Sequence, residues 1–350
     1  MKNDPVPLLG DWNNTSITFI QQDISSQGVY LAIQGNALMQ INTTDNHTAV
    51  LAGSVEIEGF KNGIATTARF NNPTSFLQHS NTKSLLIADN GNRCIRVVDQ
   101  VTWAVTTLAG SCANKTENGK EVAKSGKFSS ATFTSPYDLV SLMPTDKIAL
   151  TDDNLLRLVD MNNKTVVTEY ENTNWRSRET YPLRRMAVNN ILRKFYVTKE
   201  TETILVFDFN FHRLKDIKIS FNFDFLSKTE GIAVLSNTAL VITSGFYFQS
   251  GVKGLFVINT TKGKAHNICS TKFKWSSSKL ASCEFRTDVK YITITSSHQL
   301  LISGHAGKAE QSHSGVEIAE LNSKFSSHYT LPLQHRTEGF PTYTCTCTAV

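Results

Sequence analysis

The residues best equipped to bind or react fall into a few groups along the 350-residue chain. Arg176, Arg178, Arg184 and Arg185 crowd one short stretch, with Arg193 and Lys194 just beyond. Their planar guanidinium forks suit carboxylate, sulfate or phosphate groups, although Glu169, Glu171 and Glu179 nearby would balance an ordinary solvated loop. Phe246, Tyr247 and Phe248 form an aromatic triplet, and Trp175 and Trp275 lie in polar surroundings. Such side chains anchor interfaces, or pack inward beneath long loops. His305, Glu310 and His313 share a glycine-rich stretch and offer ligand types that zinc accepts, but their spacing matches no zinc signature and fits a polar loop equally well. Glu230, Asp288 and Asn72 precede apolar runs, where turn capping explains them as well as metal binding.

Two further groups bear on surroundings. Asn14, Asn42, Asn46, Asn114, Asn163 and Asn259 each open an Asn-x-Ser/Thr motif, as does Asn13. The motif is a glycan acceptor in secreted proteins, yet Asn, Ser and Thr also crowd turns for their own reasons. The chain has 6 cysteines, which allow 15 connectivities if all of them pair.

The elements that must position these residues are short and strand-like. An apolar alternation ending in an acidic or amide residue recurs as Leu38 to Asn42, Ile95 to Asp99, Leu156 to Asp160, Ile204 to Asp208, Leu255 to Asn259 and Val316 to Glu320, every 48 to 61 residues. Two apolar runs precede each and one follows, with Gly, Asn, Asp and Ser clusters between, the pattern of strands in hairpins. A lone four-stranded sheet cannot bury both faces, whereas sheets packed face to face around a ring do. The sequence therefore predicts an all-β fold, a six-bladed β-propeller of four-stranded antiparallel blades. Residues 16–333 form the ring, 1–15 an N-terminal extension, and 334–350 a tail that adds an edge strand or leads into a further module. Glycine and asparagine interrupt the runs too often for amphipathic helices.

The best-marked unit lies between Leu51-Ala52-Gly53 and Leu108-Ala109-Gly110. It contains Gly59-Phe60-Lys61-Asn62-Gly63, Ala65, Ala68, Phe70, Pro73 and Ile87-Ala88-Asp89-Asn90-Gly91-Asn92-Arg93. This pattern resembles the NHL repeat, in the variety found in teneurin-like extracellular propellers. A second, worn copy follows at Ala131 to Pro136 and Thr151 to Asn154. Lys61-Asn62-Gly63 stands where the family has Asp-Gly, a substitution that still permits positive φ. The resemblance implies a recognition or assembly scaffold. It also brings two rivals: propeller enzymes of the amidating-lyase or lactonase type, which hold a channel metal, and NHL propellers that bind RNA.

Propeller geometry sorts the loops into two faces. The motifs at Asn42, Asn46, Asn163 and Asn259 fall in third-to-fourth-strand turns on one face, which favours real glycosylation there. The other face carries the long connections Ser111 to Ser135, Glu171 to Leu183 and Ser270 to Thr287, with extended hairpins at Gly245 to Gly254 and Gly304 to Gly315. Loops on a rigid scaffold are where binding concentrates, so the arginine and aromatic groups are the expected contact residues for a protein partner or an acidic glycan. Strand placement pairs Cys94 with Cys112 and Cys269 with Cys283, with separate buried thiols as the competing state. Cys345 and Cys347 are too close along a strand to pair with each other and would bridge to another chain or module. A reducing cytosol would not keep such bridges.

The net charge of +5 and pI near 8.8 are mild for this length and do not ask for nucleic acid, whose readers concentrate charge on one element. No apolar run approaches the roughly 20 residues of a spanning helix. Met1 to Trp12 holds only Pro5-Val6-Pro7-Leu8-Leu9, shorter than a signal peptide's apolar core of about 7 to 15 residues, so secretion requires a sequence that begins after processing. The expectation is thus a secreted, extracellular, non-catalytic propeller with no required cofactor, calcium or zinc in the channel belonging to the enzyme alternative.

Overall fold

A computed structural model describes residues 17–42, 44–45, 47–79, 82–112, 122–173, 182–199, 202–220, 227–246, 253–270, 287–294, 299–308, 311–321, 332–335 and 344–346. The apolar alternations become strands. The first sheet pairs β1 (Ile17–Gln22), β2 (Val29–Gln34), β3 (Asn36–Asn42) and β4 (His47–Ser54) in that order. The second contains β5 (Gly63–Ile64), β6 (Pro73–His79), β7 (Ser84–Asp89), β8 (Cys94–Asp99) and β9 (Ala104–Ala109), ordered β5-β9-β8-β7-β6. The third repeats that order with β10 (Gly126–Lys127), β11 (Pro136–Ser141), β12 (Lys147–Asp152), β13 (Leu155–Asp160) and β14 (Thr165–Glu171). The fourth holds β15 (Leu183–Asn189), β16 (Lys194–Lys199), β17 (Thr203–Asp208) and β18 (Ile217–Lys218). The fifth holds β19 (Ser227–Ser236), β20 (Ala239–Phe246), β21 (Lys253–Asn259) and β22 (Ala265–Ser270). The last holds β23 (Thr287–Ile294), β24 (Gln299–Lys308), β25 (Gln311–Leu321), β26 (Pro332–His335) and β27 (Thr344–Thr346).

The fold is an all-β propeller. Uniform four-stranded blades do not hold, because the second, third and last sheets carry a fifth strand. In two of them the connection from the preceding sheet first lies along the outer strand, Gly63 opposite Val105 and Gly126 opposite Val166, before crossing to the inner edge. This pairs backbone groups that an open outer edge would expose. In the last sheet β27 pairs with β26. The described fourth strand there is Pro332–His335; the expected run Tyr329 to Leu331 lies outside the described residues.

The chain forms two compact units, residues 33–40 with 49–217, and residues 1–32 and 41–48 with 218–350. In the first, the inner strands β6, β11 and β15 pack in succession. Leu77, Leu86 and Ile95 meet Phe133, Leu139 and Ile148 in one apolar layer, and Ala149 and Leu156 meet Met186, Phe195 and Phe207 in the next. In the second unit β19 packs against β23, and β1 lies against β23 and β24, so the chain's first strand abuts its last sheet.

A buried ion pair fastens the second and third sheets to their incoming connections. Arg96 and Asp89 are both fully buried, with Nη1 donating to Oδ2 at 3.0 Å. Arg96 also donates to the carbonyls of Arg69 and Lys61 at 3.1 and 3.2 Å and to Asn62 Oδ1 at 2.7 Å, and its guanidinium lies over Phe60 and Phe70. Asp89 Oδ1 accepts from the Asn71 amide at 2.8 Å. The third sheet repeats the device: Arg157 donates to Asp152 Oδ2 at 2.9 Å and to the carbonyls of Lys124 and Thr132, and lies over Phe133. Asp152 Oδ1 accepts the amides of Thr134 and Ser135. Each arginine thus grips both sides of an isolated bridge, Lys61 with Arg69 and Lys124 with Thr132.

The two Leu-Ala-Gly tripeptides end in glycines with φ of +87° and +105°. A Cβ on Gly53 would sit 2.4 Å from the Asn36 carbonyl oxygen, and one on Gly110 would sit 2.8 Å from Cys94 Cβ. Gly110 turns the chain so that Cys112 reaches Cys94, and the expected disulfide is present. Cys269 lies on β22, while Cys283 is outside the described residues.

Two stability outcomes follow from these links. Arg157→Ala leaves Asp152 as an unpaired buried charge and should cost about 3 to 5 kcal/mol, read as a shift in urea midpoint; a loss under about 1 kcal/mol would be that of an exposed pair. Replacing Cys94 and Cys112 together by Ala removes a crosslink spanning 18 residues, and calorimetry should show a loss of about 3 kcal/mol.

Candidate functional site

Five of the six inner strands share an irregularity near their start. Register slips between Pro73 and Ser75, Pro136 and Asp138, Leu183 and Met186, Thr229 and Gly231, and Val289 and Tyr291. The residues skipped are Thr74, Tyr137, Arg184 with Arg185, Glu230 and Lys290. Bulges re-aim side chains and cluster next to functional sites, so this recurring position is the candidate site.

Thr74, Tyr137, Arg184 and Arg185 lie on adjacent inner strands and touch one another. Thr74 Oγ1 donates to the Tyr137 carbonyl at 2.6 Å. Arg185 Nη1 donates to the Thr74 carbonyl at 2.9 Å. The guanidinium carbons of Arg184 and Arg185 stand 4.9 and 4.8 Å from the centre of the Tyr137 ring. Threonines of the second strands satisfy the displaced backbone. Thr151 Oγ1 donates to the Arg184 carbonyl at 2.8 Å, and Thr198 Oγ1 accepts the Arg185 amide at 3.0 Å.

The two arginines then part company. Arg185 is 3% exposed and faces buried Asp138 at 3.7 Å, which corrects its assignment to an open binding patch: it is an internal strut. Asp138 Oδ2 accepts the Met186 amide at 2.7 Å. Burial pushes its carboxyl up to about 6, against the pull of Arg185 and of the Met186 and Leu139 amides. Arg184 and Tyr137 are partly exposed, an aromatic ring carrying a cation at the rim of the inner strands.

The other expected site residues are dispersed. Arg176, Arg178, Trp175, Tyr247, Phe248, Trp275 and Glu310 lie outside the described residues. Phe246 ends β20. Arg193 stacks over Phe209 on a different hairpin. His305 and His313 belong to paired strands rather than a long loop, because β24 and β25 extend to Lys308 and Gln311. Their register sets His305 opposite Ser314 and His313 opposite Ala306, so the two positions alternate out of step. Glu230 and Asp288 lie within inner strands instead of before them. Asn72 is a turn residue at φ 47° whose amide donates to Asn36 Oδ1. Asn42 and Asn259 end β3 and β21, and Asn163 sits in the turn between β13 and β14; Asn14, Asn46 and Asn114 lie outside the described residues. Cys345 is on β27, with Cys347 outside. Among the described residues no three His, Cys, Asp or Glu side chains gather around a metal-sized space, and no helix is long and apolar enough to cross a membrane.

Tyr137 and Thr74 escaped the sequence reading because each looks like an ordinary strand residue. The available signal was the threonine shared by Thr151, Thr198 and Thr243 at equivalent places on second strands.

Asp138 supplies a pH test. Its folded value lies above the roughly 3.9 of an unfolded aspartate, so the native state binds the proton more tightly between those values. The stability that Asp138 contributes therefore rises as pH falls from 7 toward 4 and is lost as pH rises through about 6. Urea titrations of the wild type and Asp138→Asn should show a difference that changes through this window, while a pH-independent difference would contradict the assignment.

No family profile matches the chain, and no curated protein matches by sequence. Structural similarity is broad at low identity. The WD40 repeats of RRP9 align at TM-score 0.54 and 10% identity, over 95% of this chain and 83% of that one. U3-55K aligns at TM-score 0.51 and 10% identity, over 92% and 82%. A protein of unknown function from Bacteroides thetaiotaomicron VPI-5482 aligns at TM-score 0.53 and 9% identity, over 84% and 68%. Sheet topology and these likenesses agree on the β-propeller fold.

Proposed function

We propose that the chain is a non-catalytic recognition or assembly module, a six-bladed propeller of the NHL-like kind that works outside the cell, is glycosylated, and captures an acidic partner on its long-connection face. The observation that carries this reading is the partly exposed Tyr137 and Arg184 pair, held at a bulge by Thr74 and Thr151. A guanidinium whose stem and ring support are fixed loses little freedom when it meets a carboxylate or sulfate. By contrast, the buried ionic pairs of Asp89, Asp152 and Asp138 serve the fold. The NHL resemblance, the Cys94 to Cys112 bridge and the glycan motifs support an extracellular setting. WD40 propellers among the structural neighbours support a binding scaffold.

The test immobilises an acidic polypeptide and, separately, a sulfated polysaccharide, and measures capture of the full chain. Arg184→Glu should weaken capture on one of them by about tenfold or more, equivalent to about 1.4 kcal/mol, and Tyr137→Ala should weaken the same one. Arg213→Glu, whose arginine pairs with Asp216 between the third and fourth strands of the same sheet, away from the bulge, is the control. Capture unchanged by Arg184→Glu would refute the site.

A further inference from the structure

In five of the six sheets the turn after the third strand is capped by a side-chain oxygen. In three sheets the cap is aspartate. Asp99 Oδ1 accepts the amides of Val101 and Thr102 at 2.9 and 2.7 Å. Asp160 Oδ1 accepts those of Asn162 and Asn163 at 3.0 and 2.9 Å, and Asp208 Oδ1 those of Asn210 and His212 at 2.9 Å. In the first and fifth sheets the same position is asparagine. Asn42 Oδ1 accepts the Thr44 amide at 3.0 Å and its hydroxyl at 2.7 Å. Asn259 Oδ1 accepts the Thr261 amide at 3.0 Å, its hydroxyl at 2.6 Å and the Lys262 amide at 3.0 Å.

The cap needs only an oxygen, and an ionised carboxylate is the stronger acceptor. Turn formation therefore does not account for the amide nitrogen at Asn42 and Asn259, and among the described residues neither Nδ2 makes a hydrogen bond. The hydroxyl bound to each Oδ1 belongs to the threonine two residues on, the one an Asn-x-Thr acceptor requires, and Thr44 and Thr261 are exposed. Asn163 differs on every count. The capping role there belongs to Asp160, and Asn163 Nδ2 is occupied, donating to Asp160 Oδ2 at 3.0 Å. Its motif threonine, Thr165, opens β14 and is laddered on both sides, opposite Asp160 and Lys127.

We infer that Asn42 and Asn259, in third-to-fourth-strand turns, are N-glycan attachment sites and that Asn163, despite the same motif, is left bare. The inference rests on the extracellular reading above. The donor class is a lipid-pyrophosphate-linked oligosaccharide. Nδ2 bonds to the anomeric carbon, the bond from that carbon to the phosphate oxygen breaks, the lipid pyrophosphate departs with the electron pair, and Nδ2 gives up one proton.

The full chain, directed into the secretory route of cultured animal cells by an added leader, is recovered from medium and cells together. Glycan release by an amidase in heavy-oxygen water converts each occupied Asn to labelled Asp for peptide mapping. Label is expected at Asn42 and Asn259 and not at Asn163. Equal label at Asn163, or none at Asn42 or Asn259 while other motifs are filled, overturns the inference and leaves the glycoprotein reading standing. Absence of label at every motif overturns both. Asn42→Asp and Asn259→Asp keep the cap that Asp99 and Asp160 exemplify, so each should fold and lose one step in gel mobility. Asn163→Asp should lose none, and a step lost there would refute the assignment independently.

Discussion

The structure depends most on a charge taken out of water and surrounded. Arg96 and Arg157 are among the largest fully buried side chains, and each is opposed by one buried aspartate. Burial pushes Asp89 up and Arg96 down, and the attraction between them opposes both shifts. Such a pair is tolerable only when the remaining donors and acceptors are also used. Here the Nη donors left over from the ion pair are used on the incoming connection, while Arg157 Nε has no partner among the described residues, so neutralising the charge and fixing the chain path are one act. Phe60, Phe70 and Phe133 cover the guanidinium planes, adding cation-π attraction of about 1 to 2 kcal/mol where water is excluded.

The clamp also explains why the repeat fades. Arg96 and Arg157 stand three residues before the capping aspartates Asp99 and Asp160. The equivalent residues are Met39, Leu205, Phe256 and Glu317. Met39, Leu205 and Phe256 are buried, filling the arginine's place with apolar volume. A buried ion pair and a well-packed apolar side chain are close to interchangeable in stability. Sheets can therefore lose the polar signature while keeping strand rhythm, bulge and capped turn. The fourth-strand register slip persists beside Arg96, Arg157 and Phe256 alike.

Much of the fold was legible because burial imposes a period on the sequence. Runs such as Ile95 to Asp99 and Leu156 to Asp160 name their strands, and the Leu-Ala-Gly glycines mark backbone that no other residue can follow. The fifth strands were hidden because Gly63-Ile64 and Gly126-Lys127 are too short for a period. The inner-strand bulges were hidden for a different reason: a slip of one residue leaves composition untouched while redirecting Thr74, Tyr137 and Arg184. Arg184 and Arg185 look equivalent side by side, and only Asp138, 47 residues earlier in the chain, decides which one is buried. His305 and His313 lost their apparent loop because glycines and serines there extend a hairpin.

The central claim is that the buried arginine holds the connection as well as the sheet. Amide hydrogen exchange in Arg96→Met, with and without Asp89→Asn, measures this directly. The account predicts that Arg96→Met alone strips protection from the amides of Gly59, Lys61 and Asn71, which bond to Phe70, Arg69 and Asp89. The double variant should recover global stability without recovering those amides. Protection at Gly59, Lys61 and Asn71 unchanged in Arg96→Met, with loss confined to β8, would show that the arginine serves its own sheet alone and would contradict the account.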